Sequence, residues 1–446
     1  MTEHISRVVR DLRRGLAGAV LAPGSGGYDE GRRAVDPAFE SRPAAIAEAL
    51  GAADVRAALL TAREHGLPFA VQATGHGTRV ACDGGVLVKT SAMTGVLVDP
   101  ERRVARVAPG TRWGAVLAAA APFGLAPLSG SSPDVGVVGY TLGGGLGWLA
   151  RSYGFAADSV LRAEVVTAGG ERVVTDAGSH PELFWALRGG GGNFGVVTSL
   201  EFRLYPVARV FAGTAYFPVG RAAAALARYR EWIGQAPDEL STAVLVTRMP
   251  GHAGIPGPLR GERALAVKAM HTGSPAAARR ALAPLLAAAG PALLDDMRPM
   301  PYARTAMGGL PARHMDLVTS LPDLVIDAIV DAAGRPDSAV GTVEVRHWGG
   351  AIARPGAGAG PVSHRRAALS VIADGVPPAL VAALRPCATG GTFLNFLGDA
   401  SRTASAYTAG DLRRLREVKR AYDPANVFRV NHNIAPAPAG SVCVPA

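Results

Sequence analysis

The run Leu183-Phe184-Trp185-Ala186-Leu187-Arg188-Gly189-Gly190-Gly191-Gly192-Asn193-Phe194-Gly195-Val196-Val197-Thr198 changes character three times along its length. Glu182–Leu187 reads as a short apolar helix, and Gly189–Gly192 as a glycine run that no side chain restricts. Val196–Leu204 reads as a strand, ended by Pro206. Gly190, Gly192 and Gly195 satisfy the pattern GxGxxG. A dinucleotide-binding turn needs a strand before that pattern and a helix after it, so that pyrophosphate meets a helix N-terminus. Here the order is inverted, which excludes that fold. The glycines still allow backbone to approach a ligand closely.

Upstream of this run, residues 43–66 predict a helix opened by Pro43, and Phe69–Gln72 a strand entering the turn Gly75-His76-Gly77. Val86–Val88 is a short strand, and Thr94–Val98 with Arg103–Val107 forms a hairpin. Trp113–Ala121 reads as a helix, and residues 127–148, with seven glycines and two prolines, as mostly turn. Glu164–Thr167 and Arg172–Thr175 make another hairpin. Beyond Pro206 the texture changes. Helices over 220–235, 275–289 and 322–334 alternate with strands such as Val210–Phe217, Thr242–Thr247, Ala264–Met270 and Thr342–His347. The pattern predicts an α+β fold with helices layered on a sheet and a domain boundary near residue 206.

The chain has 446 residues, 48% of them hydrophobic, which suffices for two or three domains. The net charge is +10 and the pI about 10. The basic residues are nearly all arginine and scattered; the only lysines are Lys89, Lys268 and Lys419. No basic run is interleaved with aromatics, so a nucleic-acid partner is not expected. Cys82, Cys387 and Cys443 form neither a CxxC pair nor a metal-ligand cluster, so no metal is expected. No stretch approaches the roughly 20 apolar residues of a membrane span, and Gly15–Ala22 is too short for a secretory segment. A soluble, cytoplasmic protein without a membrane partner, as monomer or homodimer, is the expectation.

His76 lies in Ala73-Thr74-Gly75-His76-Gly77-Thr78, a tight loop whose free backbone N–H groups can cradle an anion. On these six residues alone, a histidine that caps a turn is the simpler reading. A second glycine-rich region runs from Ser129 to Trp148. Together with Tyr28–Arg33, Cys82–Gly85, Tyr153-Gly154 before Asp158, Leu183–Thr198, Tyr422-Asp423-Pro424 and Asn431-His432-Asn433, these segments resemble the berberine-bridge-enzyme-like family of FAD-linked oxidases. The resemblance covers nearly the whole chain. It implies a vanillyl-alcohol-oxidase (PCMH-type) FAD-binding domain over 1–206, completed by 405–446. It also implies a substrate domain over 207–404, built on a large antiparallel sheet covered by helices.

By the same resemblance, His76 is the covalent anchor of FAD. The position of the family's second anchor, a cysteine before a proline, is held by Ser132 ahead of Pro133, so one covalent bond is expected. Val135 stands at a place associated with oxygen access. Thr74, Gly75, Gly77, Thr78, Gly136, Gly139, Gly143, Gly144, Gly147, Trp148, Asp158, Gly192, Asn193, Gly195, Val197, Asn431 and Asn433 complete the expected cofactor site. In the substrate domain, Glu344 and Arg346 share one face of a strand, and Val345 and His347 the other. Glu344, His347 and Asn395 are the catalytic candidates. Phe393 replaces the tyrosine of the family's Tyr-x-Asn segment, which moves weight for the base onto Glu344. The implied activity is oxidation of a small organic molecule of secondary metabolism, with O2 as acceptor. A flavin-dependent oxygenase, or an oxidative cyclase on a polyketide-like substrate, is the alternative. A non-catalytic binding module is disfavoured by the histidine anchor.

Overall fold

The computed structural model describes residues 3–309 and 312–438; Cys443 lies outside them. Three sheets organise the chain. Val20–Leu21, Ala45–Glu48, Val86–Lys89 and Phe69–Gln72 form the first, in that spatial order, with the last three strands parallel. The helix Ala52–Glu64 covers it and buries Val55, Ala58, Leu59 and Ala62. The expected helix over 43–66 is therefore a strand followed by a helix. Gly51, extended at φ −165°, separates the two, and Ala45–Ala47 are fully enclosed between neighbouring strands. Continuous apolar burial suits a parallel strand as well as a helix face, so periodicity could not separate them.

The second sheet is antiparallel, with Val96–Asp99, Val104–Val107, Val196–Arg203, Val160–Val166 and Arg172–Asp176 in spatial order. Gly195 enters this sheet at φ 149°, where a Cβ would lie 2.3 Å from Val165 Cγ1. Its expected contact with a ligand is thus a contact with the sheet itself, and Val197 likewise points into the core. The segment 127–148, read as turn, contains the helix Val137–Leu142, which buries Val137, Val138 and Leu142 against Trp113 and Phe194.

The third sheet holds eight antiparallel strands drawn from residues 209–373. Ala222–Trp232, Pro275–Ala289, Asp323–Gly334 and Pro378–Leu384 cover one face with Leu226, Leu282, Ile329 and Leu380. The expected α+β architecture, a PCMH-type unit beside a large antiparallel sheet covered by helices, is what the structure shows. The other face of the large sheet meets Trp148, Leu149 and Leu128 of the glycine-rich segment. No helix among the described residues is long and apolar enough to cross a membrane, and none of their His, Cys, Asp and Glu side chains cluster as a metal site.

The C-terminal segment returns to the first part of the chain, where Leu394, Leu415, Val418 and Ile434 join the core around Trp113 and Phe194. Lys419 anchors it. Its ammonium is 0% exposed and donates to Asn193 O (2.8 Å), Phe428 O (3.0 Å) and the Asp423 carboxylate (2.7 Å). Asp423 in turn accepts from the N–H groups of Val427 and Phe428. A buried pair persists only when every charge is matched and hydrogen-bonded, and this one is.

Candidate active site

The loop that carries His76 leaves the parallel strand Phe69–Gln72 through Gly75, whose φ of 79° favours glycine. Gln72 donates to Arg33 O (2.7 Å) and fixes the exit. Thr74 Oγ1 lies 3.0 Å from His76 Nδ1 and orients the ring. Burial and the nearby Arg112 guanidinium lower the His76 pKa below its usual value, and Asp134 opposes them. The imidazole is therefore neutral at pH 7 and keeps a nucleophilic lone pair. Around it the backbone is open: a Cβ on Gly77 or Gly139 would meet no atom within 4 Å.

The second glycine segment closes on this loop. A Cβ on Gly136 would sit 3.3 Å from Thr74 Oγ1, and Arg112 pairs with both Gly136 and Asp134. Ser132 Oγ accepts from Asp134 N–H at 3.3 Å, and Trp148 Nε1 donates to Ser131. Val135 packs at the edge of the core around Trp113. Gly136 thus meets Thr74, and Arg112 and Asp134 lie near enough to His76 to act on its charge.

Several expected site residues have other partners. Both ends of the Asn395 amide are taken: Gly145 N–H donates to its Oδ1 (2.8 Å), and its Nδ2 donates to Tyr140 O (3.0 Å). A Cβ on Gly143 would strike that amide at 2.5 Å, so Asn395 holds the glycine turn rather than a reacting atom. Gly144 meets the Phe393 ring in the same way, and Gly147 meets Ser129 O. The Asp158 carboxylate is occupied by a bidentate pair with Arg365 (2.7 and 2.8 Å) and by Phe155 N–H. Asn193 is fully buried; it donates to Gly190 O and His432 O and accepts from Ile434 N–H.

The tail contributes unpartnered acceptors. Asn431 Oδ1, His432 Nδ1 and Asn433 Oδ1 are all enclosed without a hydrogen-bond partner among the described residues. Burial, helped by Arg79, lowers the His432 pKa to about 4, so its ring is neutral. Three successive buried acceptors without donors fit a ligand that presents N–H or O–H groups.

On the large sheet, Glu344 and Arg346 point toward the glycine-rich segment. Glu344 is 3% exposed, and its Oε1 lies 2.9 Å from Arg346 Nε at an angle too poor for a hydrogen bond. The Arg346 guanidinium lies over the Trp148 ring at 4.5 Å. Lys268, two strands away, donates to Met307 O, and Glu344 acts on its charge. The large-sheet lysine carried no motif, and only strand register brings it to this face.

His347 is not with them. Alternation turns it to the helix-covered face, where its Nε2 accepts from Arg151 (3.0 Å) and its backbone N–H donates to Tyr229. Arg151 is itself fixed by Leu240 O, Ala236 O and Trp348 O. Burial and the Arg151 charge push the His347 pKa down to about 3. The expected catalytic role is replaced by a structural one. Phe393 stacks on Phe155 at 5.2 Å between ring centroids and meets Trp348 edge-on.

This geometry has relatives. Residues 43–176 match the family description "FAD binding domain", and residues 392–435 match "Berberine and berberine like". The chain is 30% identical to (R)-6-hydroxynicotine oxidase of Paenarthrobacter nicotinovorans, over 94% of this chain and 97% of that protein. The solved structure of 6-hydroxy-D-nicotine oxidase from Arthrobacter nicotinovorans is 28% identical and superimposes with a TM-score of 0.78, covering 95% of this chain and 98% of that one. Glucooligosaccharide oxidase from Acremonium strictum, whose FAD is 6-S-cysteinyl, 8α-N1-histidyl, is 22% identical with a TM-score of 0.82 over 96% and 99% of the two chains; this likeness shows the fold alone. The chain binds FAD and belongs to the berberine-bridge-enzyme-like family of FAD-linked oxidoreductases.

Proposed function

We propose that this enzyme carries FAD through a single covalent bond to His76 and oxidises a small organic molecule of secondary metabolism, with O2 as the terminal acceptor. The observation that carries the reading is His76 itself, a neutral imidazole held by Thr74 in an open glycine loop. Ser132, at the place expected for a second anchor, has no thiol for a second link. The oxidase activity of the nicotine-oxidising relatives supports the oxidase part of the reading. The donor set fits the group. Asn431, His432 and Asn433 offer buried acceptors to the N–H and O–H groups of a flavin and its ribityl chain, and Gly77 and Gly139 leave room for close backbone contact. When bound, FAD supplies a two-electron acceptor for a C–H hydride, and O2 regenerates it with release of peroxide.

The remaining work falls to the chain. Glu344 Oε2, the oxygen not directed at Arg346, takes the proton of a substrate O–H or N–H. The large sheet holds Glu344 rigidly, since Leu245 and Ile372 flank it on the neighbouring strands. Asn395 keeps the 140–145 turn in register, and Val135 at the loop edge leaves room for oxygen. We further propose that residues 1–206, completed by 405–446, hold FAD and that 207–404 bind substrate. The confinement of the large sheet to residues 209–373 supports that division. Acid precipitation of the purified enzyme tests the linkage. The flavin is expected in the pellet for wild type and Ser132→Ala, and in the supernatant for His76→Ala. Peroxide release during aerobic turnover tests the acceptor; turnover without peroxide would favour the oxygenase alternative.

A further inference from the structure

Hydrogen-bond donors and acceptors are out of balance on the face of the large sheet that meets the glycine-rich segment. Register places Lys268, Ala243 and Arg346 in one row across three strands, and Ala266, Leu245 and Glu344 in the next. Lys268 has three donors and uses one, on Met307 O. Arg346 is 8% exposed, yet its two terminal nitrogens donate to no described residue, and its Nε faces Glu344 without a true hydrogen bond. The Tyr140 hydroxyl is enclosed and also unpartnered. Burial raises its pKa well above the usual value, and the Arg346 charge, near enough to act on it, opposes the rise. Against these donors the face offers one carboxylate, Glu344. Arg346 is buried and Lys268 half-buried, and a partly desolvated cation is costly unless a negative group meets it.

The Trp148 ring backs the guanidinium at 4.5 Å and shields that side of it from an incoming anion. Around the charges the face is apolar, with Leu245, Ala266 and Ile372 in the same row. We propose that the substrate of this enzyme is an organic acid with an apolar body, whose carboxylate or phenolate is bound by Arg346 and Lys268. The inference rests on the reading of this face as the substrate side of the flavin. Arg346 and Lys268 position the substrate. Glu344 remains the proton acceptor.

Benzoate and its neutral isostere benzamide test this on the flavin-loaded enzyme, with perturbation of the visible flavin absorbance as the readout. Benzoate is expected to bind at least tenfold more tightly than benzamide, because charge-assisted hydrogen bonds are each worth about that factor. Lys268→Met and Arg346→Met should each weaken benzoate about tenfold and leave benzamide within about twofold. Lys268→Met guards against a folding failure of the more buried Arg346 variant. Equal affinity for the two probes would overturn the proposal. So would an Arg346→Met enzyme whose resting flavin spectrum shifts while benzoate affinity stays unchanged, because the guanidinium would then serve the cofactor. The titration reads flavin held by any linkage, so a failed covalent or peroxide test leaves this result decisive.

Discussion

Acidification separates a structural His347 from a catalytic one, and its effect can be worked from the structure. The ring is 8% exposed and accepts from Arg151, and its pKa is pushed down to about 3 from 6.5. As pH falls through 6.5 the unfolded chain takes up this proton first, because the folded ring stays neutral until pH 3. Stability present above pH 6.5 is therefore lost across the window from 6.5 down to 3. Each pH unit within that window is worth about 1.4 kcal/mol, so at pH 4.5 the loss from this one ring is about 2.7 kcal/mol. His347→Gln keeps an acceptor for Arg151 and does not titrate. Urea unfolding of both proteins at pH 7 and 4.5 reads the difference directly, since other histidines contribute equally to each. The variant should lose about 2.7 kcal/mol less than wild type between the two pH values. Loss of equal size in both proteins would refute the reasoning. A flavin-loaded, folded His347→Gln enzyme that lost turnover at pH 7 by a hundredfold would refute the structural assignment.

Lys419→Met leaves Asp423 buried without its cation and should cost about 3–5 kcal/mol, read as a fall in Tm and as flavin lost on gel filtration of the His76→Ala background. Asn395→Ala frees Gly145 N–H and Tyr140 O together; it should destabilise by about 1–3 kcal/mol and alter the flavin spectrum without changing the pH profile of turnover, as a positioning residue would. Gly195→Val should yield little soluble protein in an expression trial, because even a Cβ overlaps Val165 and the backbone of Val166.

Local patterns revealed much of this architecture. The hairpins, the helix Trp113–Ala120 and all three long helices beyond Pro206 lie where periodicity and turn residues placed them. Ala45–Glu48 escaped because a strand buried on both faces has no alternation. The loop around His76 stood out through motif and spacing, and the structure brings its Thr74 against Gly136. Asn395, Asp158 and Asn193 were recognisable as special but not assignable, since an amide that braces a turn and one that touches a ligand have the same sequence. For His347, strand alternation already separated it from Glu344, and the structure shows that this parity outweighs its proximity in sequence. Lys268 had no local signal at all; register across three strands places it beside Glu344 and Arg346.

The central claim is the bond at His76, and peptide mapping tests it at residue level. Trypsin cuts after Arg63 and Arg79 and releases residues 64–79, which contain His65 and His76; residues 113–151, which contain Ser132, form another peptide. After denaturation and digestion of the flavin-loaded enzyme, flavin absorbance and the mass of the adduct should travel with peptide 64–79. Fragmentation should place the adduct on His76, with none on peptide 113–151. Unmodified peptide 64–79 from a fully yellow preparation, or an adduct on His65 or on peptide 113–151, would contradict the account.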